Sequence, residues 1–188
     1  LLSEKNINEN IKNITKFIPS KTAFVVMDPW HFKDSKKEKL IIEKKIIPLI
    51  NKALKKNHKV FILTVDPKIV KNKNQRVHEK LIKMTDKNLF LIYHENHNKE
   101  KLSEFLRSKD ISSLIYLGFH SNACIINREL GIINMKLQGF KTFFIPEASA
   151  AIEDDGLDIF HNKATTMRKR YWGEEIDYDH IIGKLSSL

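Results

Sequence analysis

Five short apolar runs, none alternating polar with apolar, constrain this chain more than any other feature. They are TAFVVMD (22–28), KVFILTVD (59–66), LFLIYH (89–94), SSLIYLG (112–118) and KTFFIP (141–146). Each is rich in β-branched or aromatic residues. A strand with one wet face alternates, and a strand covered on both faces does not, so these runs read as strands buried on both sides. Amphipathic stretches separate them: one after Ser35, then RVHEKLIKM (76–84), KLSEFLRSK (101–109), Asn122 to Gln138, and Asp155 to Lys169. Ser35 and Glu38 have capping-box spacing, and Gly139 stands where a helix ends. Pro48 either kinks its helix or occupies the first turn of a new one. Strand and helix alternate throughout. This predicts one α/β domain over 1–188, a three-layer α/β/α sandwich. Its sheet is mostly parallel and Rossmann-like, with five to six strands and right-handed crossovers.

Composition removes some functions. No apolar run approaches the roughly 18 residues of a membrane span, and the start, LLSEKN, has no signal-like pattern. The net charge of +10, from 33 Lys+Arg against 23 Asp+Glu, raises nucleic acid as a partner. The lysines are scattered beside asparagine, as in KKN and KNKN, and no aromatic residues interleave with a basic stripe. A solvated surface is therefore expected, with no nucleic-acid or membrane partner. RKRYW (168–172) reads as a solvated helix end leading to a last strand or an oligomer contact. The single cysteine excludes an internal disulfide and fits a reducing, cytoplasmic setting.

In open parallel sheets the ligand crevice lies beyond the carboxyl ends of the strands. That rule selects Asp28, Asp66, His94 and the segment Gly118 to Cys124. Cys124 falls in the first turn of a predicted helix, where the dipole and free N–H groups favour a thiolate and can hold an oxyanion. Asp28 is placed to take the thiol proton as general base. The competing readings are a buried structural thiol and a turn-forming aspartate before Pro29. Trp30, His31, Phe32 and Phe119 are candidate walls of a substrate pocket, or for Trp30 and Phe32 simply packing. Arg128, four residues after Cys124, either receives a substrate carboxylate or pairs with a neighbouring acid. His31, His94, His97 and His120 lie on strand-end loops, and a Zn²⁺ site built from them is the alternative to the expected absence of metal or cofactor.

TAFVVMDPWHF resembles the first strand of the isochorismatase-like cysteine hydrolases, with its strand-end aspartate and following aromatic. GFHSNAC is similar to the family's glycine, Thr/Ser and cysteine signature, and NRELGIINMKLQGFKTFFIPEASAA to its following helix, strand and turn. The resemblance runs from Thr22 to the Met167 region. It implies the sandwich already argued and hydrolysis of small amides, such as nicotinamide or carbamoyl compounds, through a Cys-Asp-Lys triad. Cys124 becomes the nucleophile and Asp28 the base. A cis peptide is implied at Phe119–His120, turning the His120 N–H toward the oxyanion beside that of Cys124. A homo-oligomer, dimer or tetramer, is implied too. Where the family has its lysine this chain has His94, with Lys33 and Lys99 as other cations near enough in sequence to serve. Nicotinamidases carry Asp-x-His after the second strand; here Asp66 is followed by Lys68, so their metal site is not implied. The resulting expectation is cleavage of a C–N bond in a small amide, ureide or carbamoyl compound through a thioester. The alternatives are a non-hydrolytic small-molecule binder of the same fold and a metal-assisted hydrolase.

Overall fold

The computed structural model describes residues 19–33, 35–152 and 158–187. The apolar runs form strands β1 (Thr22–Met27), β2 (Lys59–Thr64), β3 (Leu89–Tyr93), β4 (Ser113–Phe119) and β5 (Lys141–Ala150), joined by a two-residue β6 (Glu174–Glu175). They make one six-stranded sheet in the order β3-β2-β1-β4-β5-β6, and every pair is parallel. The chain builds outward from β1 to β3 and then returns to lay β4 against the other side of β1. That reversal opens a crevice at the carboxyl ends of β1 and β4.

Helices cover both faces of the central strands, which explains their missing alternation; β3, expected to be buried on both sides, lies at the sheet edge and leaves Leu91 exposed. Phe24 and Val26 of β1, with Ile115, Leu117 and Phe119 of β4, face one layer. That layer comprises α1 (Lys36–Ile41), its π-helical continuation Ile42–Ile46, α2 (Ile47–Lys55) and α8 (Tyr178–Ser186). The intervening residues Ala23, Val25, Met27, Leu114 and Tyr116 face the other layer. It comprises α4 (Lys99–Ser108), α5 (Cys124–Asn127) and α6 (Ile132–Leu137). Burial of each large apolar side chain here stabilises the fold by roughly 1.5–3 kcal/mol. Two further helices complete the chain, α3 (Glu79–Ile82) and α7 (Ile159–Tyr171). No helix among the described residues is long and apolar enough to cross a membrane.

Several helix boundaries differ from the sequence reading. Pro48 sits in the first turn of α2, directly after the π-helical stretch, whose wide turn accommodates the missing N–H. The predicted helix over 76–84 is helical only in α3, because Arg76–His78 is used elsewhere: the His31 and His78 N–H groups bond Arg76 and Pro29 carbonyls, and Val77 bridges Trp30. The predicted helix from Asn122 to Gln138 breaks into α5 and α6, since Arg128 leaves helical geometry at ψ 156°. Gly139 does end α6, at φ +88°, with the Gly139 and Phe140 N–H groups bonding the Lys136 and Met135 carbonyls. The last predicted helix is seen as α7, and the start of its predicted range, 155–157, lies outside the described residues.

Candidate active site

Asp28 follows β1 in the left-handed region, at φ 43°, a conformation aspartate tolerates better than most residues. Its N–H donates to the Leu63 carbonyl at 2.8 Å, carrying the β1–β2 pairing one residue past the strand. The side chain is 1% exposed. His94, directly after β3, brings Nε2 to 3.0 Å from Asp28 Oδ1. Arg128, directly after α5, brings Nη2 to 3.6 Å from Asp28 Oδ2. Cys124 opens α5, and its thiol lies within the influence of both the Asp28 carboxylate and the His120 N–H. The peptide Phe119–His120 is cis, where the resemblance implied it. Thus the ends of β1, β3 and β4 bring one carboxylate, one thiol and two basic side chains together.

The electrostatics correct one expectation. Burial raises the Cys124 pKa, and the charge and hydrogen bonding of Asp28 raise it further. Arg128 and the His120 N–H pull it down without reversing the result. The helix dipole expected to favour a thiolate is small, because α5 has only four residues. The net effect holds the thiol toward its protonated form, with the Asp28 carboxylate beside it.

The remaining candidates are distributed as follows. Trp30 donates from Nε1 to Thr64 Oγ1 at 3.1 Å, and its ring stands 6.2 Å from that of Phe32. Phe32 packs on Phe119 at 4.9 Å and on the His120 ring at 5.7 Å. Phe119 itself is wholly buried in the core, so it backs Phe32 and does not line a pocket. His31 is exposed and faces His78 at 5.9 Å, away from Asp28's partners. Lys33 is exposed and Lys99 approaches Glu100 at 4.0 Å; the basic groups that reach Asp28 among the described residues are His94 and Arg128. The four loop histidines do not converge. His97 Nδ1 lies 3.3 Å from the Tyr93 carbonyl and His120 Nε2 lies 3.8 Å from Glu38 Oε1. No metal-binding group of three or more His, Cys, Asp or Glu forms among the described residues. Asp66 shapes its own turn, Oδ1 accepting from the Lys68 N–H at 2.8 Å.

Three residues act differently from the sequence expectation. Ser35 makes no side-chain cap, and Glu38 turns away from the helix start to His120. Burial would raise the Glu38 carboxyl, but His120 and the local backbone outweigh it and hold the group below its usual range. Arg168, read as part of a solvated helix end, is fully buried. Its guanidinium donates to the Ser121 carbonyl and to Thr165 Oγ1, and stacks 3.7 Å from the Phe144 ring centre. Burial pushes its pKa down to about 10. Ser121 also meets His161 Nδ1 at 2.9 Å and donates its N–H to the Ala150 carbonyl, while Asn122 bonds both N–H and C=O of Ile152. The loop before Cys124 is therefore tied to the end of β5 and to α7. Only contact with a distant carbonyl distinguishes Arg168 from its exposed neighbours, so a basic run alone carried no signal for it. Arg168→Met is expected to lose about 2–4 kcal/mol of unfolding free energy in urea, because the Ser121 carbonyl loses a charged donor. A loss under about 0.5 kcal/mol would remove this clamp from the account.

Solved structures share this fold. A cysteine hydrolase from Pseudomonas syringae pv. phaseolicola is 16% identical, covering 91% of this chain and 95% of its own, with a TM-score of 0.69. A nicotinamidase from Staphylococcus aureus is 20% identical over 83% of this chain and 96% of its own, with a TM-score of 0.64. A ribonuclease from Caenorhabditis elegans is 13% identical over 91% of this chain and 84% of its own, with a TM-score of 0.70. No family model and no curated protein matches the chain. The fold is that of the isochorismatase-like cysteine hydrolases. Within that fold, this chain places Cys124 and Asp28 together and puts His94 and Arg128 on the carboxylate.

Proposed function

We propose that this protein is a cysteine hydrolase that cleaves the C–N bond of a small amide, ureide or carbamoyl compound. The observation that carries the reading is the buried Asp28 carboxylate, in reach of the Cys124 thiol and flanked by two basic side chains. Asp28 takes the thiol proton as the sulfur attacks the carbonyl carbon. The N–H groups of His120 and Cys124 receive the developing oxyanion. The tetrahedral adduct collapses, the C–N bond breaks, and Asp28 hands its proton to the leaving nitrogen. Water then attacks the thioester, giving its proton to Asp28. The carboxylic or carbamic acid departs and the thiol is restored. Trp30 and Phe32, on the turn after Asp28, supply an apolar wall for a small substrate.

The ribonuclease neighbour, with the charge of +10, raises RNA as a second substrate class. Against it, a basic groove lined by Lys136, Lys141, Lys169 and Arg170 sits beside Ser113, at the opposite end of the sheet from Cys124. A strand held there would not bring a phosphodiester to the thiol.

The test is ammonia release over a panel of small amides, ureides and carbamoyl compounds, with Cys124→Ser as control and an RNA oligomer alongside. Ammonia release that depends on Cys124, with an acyl adduct on Cys124 by mass spectrometry, is the expected result. Silence across the amides with RNA cleavage would overturn the reading; silence across both would favour a non-hydrolytic binder.

A further inference from the structure

We infer that Arg128 is the positioning cation of this site: its guanidinium supplies the permanent positive charge beside Asp28 that stabilises the pocket's negative charge as it passes between carboxylate and sulfur. The inference rests on the cysteine-hydrolase reading and adds to it the residue that balances charge.

Asp28 is 1% exposed, so the negative charge it shares with Cys124 is poorly solvated whichever group holds the proton, and titrating that proton away puts two negative groups in one place. Two like charges there are costly unless cations stand close. The charged or titratable groups facing this pocket come from four elements. They are Asp28 after β1, His94 after β3, Cys124 and Arg128 on either end of α5, and the Glu38–His120 pair between α1 and the cis turn. Glu38 and His120 occupy each other. That leaves His94 on Asp28 Oδ1 and Arg128 near Oδ2. An imidazole changes charge near neutral pH, whereas a guanidinium does not. Arg128 is thus the cation whose charge does not depend on the proton traffic of the reaction.

The local sequence aims it there. The chain leaves helical geometry at Arg128, whose carbonyl accepts from the Gly131 N–H at 2.7 Å and from Asn134 Nδ2 at 3.0 Å. A side chain at 131 would stand 2.9 Å from that same carbonyl, so glycine is required for the turn. This break, which divides the expected single helix into α5 and α6, sets the Arg128 backbone one turn beyond the thiol. The guanidinium is only partly engaged. Nη2 stands 3.6 Å from Asp28 Oδ2, just outside hydrogen-bond reach, the side chain is 36% exposed, and Oδ2 and Nε are both buried without a hydrogen-bond partner among the described residues. It can therefore follow charge as it moves from carboxylate to sulfur.

The experiment reads the thiol directly, which is unambiguous because Cys124 is the only cysteine. The pH profile of iodoacetamide alkylation is measured for the full-length wild type, Arg128→Gln and Arg128→Lys, with ultraviolet thiolate absorbance and thermal unfolding in parallel. Arg128→Gln is expected to shift the profile upward by about one pH unit, about tenfold slower alkylation at neutral pH. Arg128→Lys is expected to recover most of it while its unfolding midpoint stays near wild type. An unshifted profile in Arg128→Gln overturns the inference. So does an Arg128→Lys profile as displaced as that of Arg128→Gln, since shape and not charge would then be at work. Should no amide be cleaved by the wild type, the hydrolase reading fails, but the thiol titration still decides the part played by Arg128.

Discussion

Asp28→Asn is expected to move two properties of Cys124 in opposite directions. The thiol becomes easier to ionise, because the charge and the acceptor that hold its proton are both removed. Alkylation at neutral pH should rise by about tenfold, the equivalent of one pKa unit. Turnover should nevertheless fall by about 10³–10⁴, because an amide cannot accept the thiol proton or return it to a leaving nitrogen. Residues that act as a unit fail together, so the loss should approach that of Cys124→Ser. Steady-state kinetics on the best amide from the panel, beside the alkylation rate, check both halves. Turnover within tenfold of wild type would remove Asp28 from the role of base. Slower alkylation would mean that the carboxylate assists ionisation at rest, contrary to the electrostatics described above.

Gly118→Ala is expected to be the most damaging single substitution outside the site. Gly118 stands in β4 opposite Met27, at φ +104°, where the β4–β5 register shifts. An added Cβ would fall 2.2 Å from the Met27 carbonyl oxygen and 2.8 Å from the Met27 nitrogen. Both atoms belong to the backbone of the central strand, one residue before Asp28. Neither can retreat without opening the β1–β4 pairing that sets Asp28 against Cys124. We expect a loss of about 4 kcal/mol or more in urea unfolding, or no soluble protein. Gly139→Ala provides the control. It shares a positive φ, at +88°, but a Cβ there meets nothing within 4 Å, so about 1 kcal/mol is expected. Equal losses at the two glycines would show that backbone strain, not the approach to Met27, governs both.

Much of this was legible because it depended on short stretches. Apolar runs without alternation correctly announced strands, though β3 at the sheet edge leaves Leu91 41% exposed, and Asp28, His94 and Cys124 could be placed at strand ends by counting. The parts that were not legible depend on what stands opposite. Glu38 has the spacing of a capping residue, yet His120 lies across from it. Arg168 belongs to a run of exposed cations but meets the Ser121 carbonyl, 47 residues away in sequence. Arg76–His78 continues a helical pattern and instead pairs with the turn after Asp28. Arg128 was reachable only in part: its distance from Cys124 in sequence was clear, but the break that aims it comes from Gly131 and Asn134 closing on its carbonyl. In each case local preference and a partner distant in sequence compete, and the partner prevails.

The upward shift of the Cys124 pKa also bears on oxidation. The thiolate is the form that peroxide attacks, so a thiol whose proton is held by burial and a neighbouring carboxylate oxidises slowly. This chain has no second cysteine to trap a sulfenic acid as a disulfide. Oxidative damage at Cys124 would have no rescue within the molecule. Holding the proton on the sulfur is therefore expected to slow attack by oxidants at Cys124.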